Sequence, residues 1–274
     1  MSIKICLDAG HYGKYNRSPA VKTYYESDMN WKLHLLLKEE LESYGIEVIT
    51  TRADKDKDLA LVDRGKASKG CDLFISIHSN AAGSKTNDDV DYPLAIVQLD
   101  GKGNALGEKL ADTVKQTMGC KQNANIWTRR GTYGGEYYGV LWGSANVGTM
   151  GMILEHSFHT CTKMAKWLSD DANLAKLAKA EAKVIADYFG VEKKEERKKT
   201  SVELPTLRQR DISDTVKAMQ ILLIGFGYSC GNCGADGDFG NGTLSAVKAF
   251  QKAKGLTVDG VVGNDTWSKL LCIK

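Results

Sequence analysis

The sequence predicts an α/β domain, with a mixed, mostly parallel sheet flanked by helices, followed by a small all-α domain of three helices. Three observations predict it. Lys4 to His11, KICLDAGH, is a short apolar run ending in a turn signal, as a buried strand of a parallel sheet reads. Asp72 to His78, DLFISIH, is a second such run, and the segments between the two complete a βαβαβ order, the pattern of a layered sheet. Near the C-terminus the string DGxxGxxT occurs twice, at 236–243 and 259–266, each time as a glycine-rich turn feeding a helical stretch.

Composition sets the bounds. A chain of 274 residues suits one medium domain and one small one. Apolar residues at 42% and charged residues at 26% are ordinary for a globular protein. A net charge of +3 is too small to argue for nucleic acid and at most favours an anionic surface such as a bacterial wall. No apolar run reaches membrane-spanning length, so no membrane insertion is expected. The opening MSIKICLDAG enters the first strand at once, without a basic and then apolar leader. The expectation is a chain without a standard signal peptide, cytoplasmic until something releases it. Seven cysteines, at 6, 71, 120, 161, 230, 233 and 272, do not form a secreted disulfide framework. Cys230 and Cys233 make a lone CxxC without the second pair of a structural zinc site. It reads as a loop feature or a disulfide formed outside the cell.

The elements follow in order. After His11 a loop rich in Gly, Asn, Ser and Pro leads to Glu26-Ser27-Asp28 and an amphipathic helix. Met29, Leu33, Leu36, Leu37, Leu41 and Tyr44 fall at helical spacing there. Ser27 or Asp28 is the expected N-cap, and Gly45 ends the helix. Residues 46–50 read as a strand and 59–69 as a second helix. An acidic polar loop at 87–91 precedes a strand at 94–99 and a helix at 104–118. Residues 124–147, rich in Gly, aromatic residues and arginine with weak periodicity, read as irregular structure around a site. Arg129 and Arg130 are candidates there for contact with a polar substrate, with ordinary loop packing the equal alternative. Residues 150–158, MGMILEHSF, are a strand that delivers Glu155, and 162–189 read as one long helix closing the domain.

From 191 to 210 the mixed charge run EKKEERKKT and Pro205 mark a linker between a first domain at 1–190 and a second at 211–274. The three helices of the second domain are expected at 213–224, 244–253 and 267–271. That module carries no catalytic constellation and reads as a binder.

Two apolar strands that each deliver a histidine to one sheet edge make a candidate metal site, because open α/β sheets bind ligands beyond the carboxyl ends of their strands. Gly10 is read as the residue that lets the backbone turn before His11. Glu26, at the mouth of the first helix, completes a His₂Glu set with His11 and His78. Its plain alternative is a carboxylate favoured by the helix dipole. Zinc held by three such ligands keeps an open position for water or substrate. Glu155, a glutamate ending an apolar strand, is costly there unless paired or functional, and is the candidate general base. His156 points to the opposite face in a strand, so it and His159 are read as structural, and His34 as a helix-packing residue.

LDAGH, the Glu26 that opens the first helix, FISIHSNA and ILEHSF occur in this order. On them, the first 190 or so residues resemble the zinc-dependent N-acetylmuramoyl-L-alanine amidases of the family 3 type. The resemblance implies one zinc per chain held by His11, Glu26 and His78, with Glu155 as catalytic acid/base. The implied substrate is bacterial peptidoglycan, cut at the amide joining N-acetylmuramic acid to L-alanine of the stem peptide. From about Asp211, VKxxQ, DGDFG, AVKAFQ and DGVVGNDTW resemble the three-helix peptidoglycan-binding module. Tyr12 stands where the family usually has a second glycine, and His156-Ser157 where it commonly has Gly-Phe. These departures touch the groove and leave the four site residues intact. The whole resembles a phage or prophage endolysin. A host autolysin of the same activity, a zinc peptidase of the stem peptide and a non-catalytic wall-binding protein are the alternatives.

Overall fold

The protein is described by a computed structural model covering residues 3–193 and 204–272. Part of the expected linker, 194–203, lies outside the described residues. The chain divides into two compact units, Met1–Glu195 and Glu196–Lys274.

The first unit is built on a six-stranded sheet. Its strands are β1 (Lys4–Ala9), β2 (Glu47–Thr50), β3 (Leu73–Asn80), β4 (Leu94–Val97), β5 (Asn125–Trp127) and β6 (Met150–Phe158), in the order β2-β1-β3-β6-β4-β5. β2, β1, β3 and β6 run parallel, while β4 is antiparallel to β6 and carries β5 parallel to itself. The mixed, mostly parallel sheet is therefore as expected.

Alternation along the strands sorts side chains between two layers. Ile5, Leu7, Leu73, Ile75, Ile77 and Leu154 face a large core under α1 (Glu26–Ser43), α3 (Asn104–Met118) and α6 (Asp171–Tyr188). Cys6, Phe74 and Ile153 face a smaller core under α4 (Gly139–Asn146). α2 (Leu61–Lys66) packs on α4 through two glycines. A Cβ on Gly65 would lie 2.1 Å from the Val140 carbonyl oxygen, and one on Gly143 would lie 2.1 Å from that of Val62.

Three local expectations are corrected. α1 begins at Glu26, with Tyr25 as its N-cap and no side-chain cap bond. Ser27 does not cap because its hydroxyl is engaged elsewhere, donating to the Gly13 carbonyl and accepting from the Tyr15 N–H. The expected helix over 162–189 is two helices, α5 (Thr162–Leu168) and α6, because Asp170 accepts from the Asn173 N–H at 2.9 Å and starts a new one. The stretch 124–147 is not wholly irregular: it holds β5 and α4. α4 buries Val140, Leu141, Gly143 and Ser144, which leaves its eight residues little amphipathic signal.

Among the described residues the second unit has three helices, α7 (Asp214–Gly225), α8 (Asn241–Ala253) and α9 (Asn264–Leu270), around Val216, Met219, Leu223, Phe239, Val247, Phe250 and Trp267. The last two begin three residues earlier than expected, inside the DGxxGxxT strings. Each string is bolted by a glutamine. Gln220 Nε2 donates to Asp236, the Asp238 carbonyl and Thr243, while its Oε1 accepts from the Gly237 N–H. Gln251 repeats the pattern with Asp259, the Val261 carbonyl, Thr266 and Gly260. Leu207, within the expected linker, is buried in this unit and pairs with Val262. All seven cysteines are unpaired; Cys230 is buried and Cys233 exposed. No described helix is long and apolar enough to cross a membrane.

Candidate functional site

The site begins where β1 ends. Asp8 is fully buried and accepts from Ser76 Oγ at 2.7 Å and Thr51 Oγ1 at 2.6 Å. Two largely buried arginines, Arg52 and Arg64, aim their guanidinium groups at the carbonyls of Ala9 and His11. A charged donor on a buried carbonyl is a strong hydrogen bond. These bonds hold a strained corner, for His11 itself adopts φ 60°. The sequence reads Gly10 as the residue that lets the chain turn, but the left-handed conformation at the corner belongs to His11 and not to Gly10. Gly10 is required for close approach: a Cβ there would come 2.3 Å from the His78 imidazole.

His11, Glu26 and His78 are brought together, with donor atoms all within 4.8 Å of one another. Glu26 is 1% exposed at the first position of α1, whereas the two imidazoles are partly open. Glu26 Oε1 lies 3.3 Å from His11 Nε2 and 3.0 Å from His78 Nδ1, and accepts from the Ser79 N–H at 3.1 Å. Burial alone would raise the Glu26 carboxyl. The hydrogen bonds and charge of both histidines outweigh it and hold the group well below its ordinary value. An anionic carboxylate and two imidazoles converging from three elements, open on one side, fit a divalent ion of the zinc type.

Glu155 lies beside His78 across the β3–β6 ladder, where the two are register partners. Its Oε2 is buried and has no hydrogen-bond partner. Burial first, then the charge of Glu26, push its carboxyl well above the ordinary range. A carboxyl left unpaired beside a candidate metal centre has the surroundings of a group that takes up a proton. All four residues line one cleft of about 340 Å³. Tyr138 and Val140 of the α4 start, Leu61 and Asn80 also line it.

Beyond Glu155 the strand bulges: Ser157 adopts φ 63° and the pairing steps from His78–Glu155 to Asn80–Phe158. His156 turns away from the cleft as expected. It is fully buried, with Nδ1 donating to the His78 carbonyl at 2.9 Å and Nε2 to Glu181 at 2.8 Å. His34 is buried in α1 and donates to the Trp31 carbonyl; burial pushes its pKa down to about 4.

Other residues depart from the sequence reading. His159 lines the cleft, 3.9 Å from Glu26 Oε2, with Nδ1 at 3.0 Å from Ser79 Oγ. A signal was available: it follows the end of β6 much as His11 follows β1. Asn16, also in the lining, carries no sequence signal. Arg129 and Arg130 are not among the lining residues. Both are exposed in a glycine-rich hairpin, Arg129 stacked 3.6 Å from the Tyr137 ring and Arg130 donating to the Gly134 carbonyl.

Comparison with known proteins follows the same division. A family model described as N-acetylmuramoyl-L-alanine amidase matches residues 5–187, and one described as a putative peptidoglycan binding domain matches residues 213–270. The chain is 34% identical over 110 residues to the N-acetylmuramoyl-L-alanine amidase CwlL of Bacillus licheniformis. That match covers 40% of this chain and 31% of CwlL. It is 24% identical over 195 residues to CwlM of the same organism, covering 70% of each. Among solved structures, the catalytic domain of CwlV from Bacillus (Paenibacillus) polymyxa superposes with a TM-score of 0.59 at 21% identity. It covers 69% of this chain and 99% of that domain, a likeness of fold.

Proposed function

The chain belongs to the N-acetylmuramoyl-L-alanine amidase family, and on that premise we propose that it hydrolyses the amide between N-acetylmuramic acid and L-alanine of the stem peptide in bacterial peptidoglycan. The observation that carries the reading is the His11–Glu26–His78 cluster with Glu155 as neighbour, all inside the matched region. In this reading the metal is one zinc per chain, held by His11, Glu26 and His78. When bound, it supplies Lewis acidity to a water and to the scissile carbonyl.

The residues of the chain do the rest. Arg52 and Arg64 fix the corner that carries His11, and Gly10 lets His78 sit against it. Glu155 takes the proton of the attacking water as the new C–O bond forms. It passes that proton to the alanine nitrogen as the C–N bond breaks, leaving a carboxylic acid on the lactyl group and a free amine on L-alanine. Once ionised, a desolvated carboxylate is a stronger base than a solvated one, which suits the first half, and the proton it takes is held in place for the second. The second unit, matched to a peptidoglycan-binding family, tethers the enzyme to the wall and raises the local concentration of substrate. A catalytic unit joined to a wall-binding one is the organisation of a wall-lytic enzyme of the endolysin type.

The test is release of new amino termini from purified Gram-positive peptidoglycan by wild type and Glu155→Gln, with zinc content measured for both. The reading expects about one zinc per chain in each, and N-terminal alanine from wild type alone. Wall binding by wild type without any new amine, zinc supplied, overturns it in favour of a binding protein.

A further inference from the structure

We propose that Asn16 is a positioning residue for the candidate metal centre, fixing the orientation of the Glu26 carboxylate. The inference rests on the metal-centre reading above and adds a member to it that no motif marks.

The observation is that Asn16 holds Glu26 at both ends. Its backbone carbonyl accepts from the Glu26 N–H at 3.0 Å. Its side-chain Nδ2 donates to Glu26 Oε2 at 2.6 Å. The two residues are kept opposite each other by a short antiparallel pairing, in which Arg17 bridges Tyr25 and the Ser18 N–H donates to the Tyr24 carbonyl at 3.1 Å. That pairing alone sets the backbone. The direction of the side chain comes from a second feature: Asn16 adopts φ 50°, a left-handed conformation that asparagine tolerates better than most residues. An amide aimed inward from that conformation reaches the carboxylate and lies 3.2 Å from His11 Nε2 as well.

The consequence is a division of labour between the two carboxylate oxygens. Oε2 is occupied by the Asn16 amide, and Oε1 is the oxygen that faces His11 and His78. The Ser79 N–H bonds Oε1 from the protein side. Without Asn16, the carboxylate loses its one bond on Oε2 shorter than 3 Å and gains freedom to rotate. A ligand that must be ordered on binding holds its ion less tightly. Loss of a partner that orients a ligand typically weakens metal binding by roughly 10–100-fold.

The experiment measures zinc affinity of the full chain by competition with a chromophoric chelator, for wild type, Asn16→Ala and Asn16→Gly. The cobalt-substituted forms are compared by visible absorption. Glycine adopts the left-handed conformation freely, so Asn16→Gly removes the amide while leaving the backbone unstrained. The expected result is zinc affinity lowered roughly 10–100-fold in both variants and a shifted cobalt spectrum, with metal-free Asn16→Gly still unfolding cooperatively and no less stable than metal-free Asn16→Ala, whose residue is strained at φ 50°. A variant that bound zinc as tightly as wild type, with an unchanged cobalt spectrum, would overturn the role of Asn16 and leave the metal centre standing. Wild type binding neither ion overturns the metal-centre reading itself, and the inference with it.

Discussion

Gly10 and the imidazole of His78 are packed so closely that a single methyl group on Gly10 would overlap the ring, 2.3 Å from both Cε1 and Nε2. The contact ties the end of β1 to a side chain of β3, next to the cluster both strands serve. Gly10→Ala therefore has to displace His78, since the backbone at Gly10 is itself pinned by its N–H bond to the Ile77 carbonyl at 3.0 Å. Overpacking of this kind costs about 1–3 kcal/mol. The expected outcome is a modest loss of thermal stability with a larger loss of zinc affinity in a chelator competition. Unchanged affinity in the folded variant would show that His78 is not needed where it sits.

Glu155→Gln separates chemistry from stability. The folded carboxyl is raised well above its ordinary value of 4.5, so above that pH the unfolded chain ionises this group more readily than the folded one. The wild-type residue thus lowers stability at neutral pH, and its penalty disappears as pH falls below about 4.5, where both states hold the proton. Metal-free Glu155→Gln should be more stable than metal-free wild type at pH 7, with the difference fading toward pH 4, while amine release falls by roughly 10²–10⁴-fold. Denaturant titrations at the two pH values and the release assay check both halves. A variant less stable at pH 7 than at pH 4, relative to wild type, would contradict the sign.

Much of this arrangement was legible in the sequence because the motifs sit on strongly apolar strands. KICLDAGH and DLFISIH read as buried strands ending at one edge, and Glu155 stood out as an acid inside a third. What escaped depends on contacts distant in sequence. The amide of Asn16 acquires its partner only when residues 16–18 pair with 24–26, and a loop of mixed composition gives no sign of that. Ser27 looked like a helix cap until its hydroxyl was claimed by Gly13 and Tyr15. α4 was unreadable because a short helix whose exposed side carries Trp142 and Ala145 rather than charged residues has no polar stripe to reveal its period. The break at Asp170, by contrast, carried a capping signature that a long lysine- and alanine-rich run concealed.

His156 and Glu181 form an ion pair whose side chains are almost completely buried. Burial pushes the His156 ring toward its neutral form, but the charge and hydrogen bond of Glu181 outweigh it and raise its pKa above 6.5. A raised histidine stabilises the fold fully below its unfolded pKa, near 6.5, and loses that contribution as pH climbs through the folded value. Removing one partner of a buried pair costs about 3–5 kcal/mol. Glu181→Leu should show that loss at pH 6, and a smaller one at alkaline pH where wild type has lost the pair's contribution. Chemical denaturation across pH 6 to 9 tests it; a penalty independent of pH would mean the ring is neutral throughout. Because His156 Nδ1 also bonds the His78 carbonyl, the same variant should loosen zinc binding.

The two glutamines of the second unit provide a test within one chain, since each occupies the same place in its repeat. Gln220 and Gln251 are 0% and 1% exposed, and each spends its amide on an Asp, a carbonyl, a Thr and a Gly N–H. Alanine at either position strands the buried N–H of Gly237 or Gly260 and removes the amide bond to the buried Thr243 or Thr266, and an unsatisfied buried group costs about 1–3 kcal/mol. The networks differ in their surroundings. The loop after α7 is longer, and it sets Cys230 and Gly231 against Gly242, where a Cβ would meet the Cys230 carbonyl oxygen at 2.4 Å. The loop after α8 is shorter, and Leu256 and Thr257 line an open cleft with Asn264 and Asp265 there. Gln251→Ala should therefore open the 259–266 loop to solvent more readily than Gln220→Ala opens 236–243. Amide hydrogen exchange on the full chain reads both loops in one experiment. The expected pattern is faster exchange at Gly260 and Val261 in the first variant than at Gly237 and Asp238 in the second, with the amides of β3 and β6 unchanged in both. Equal exchange in the two loops would show that the added layer contributes nothing, and wild-type exchange in either would show that its glutamine is not what holds the turn.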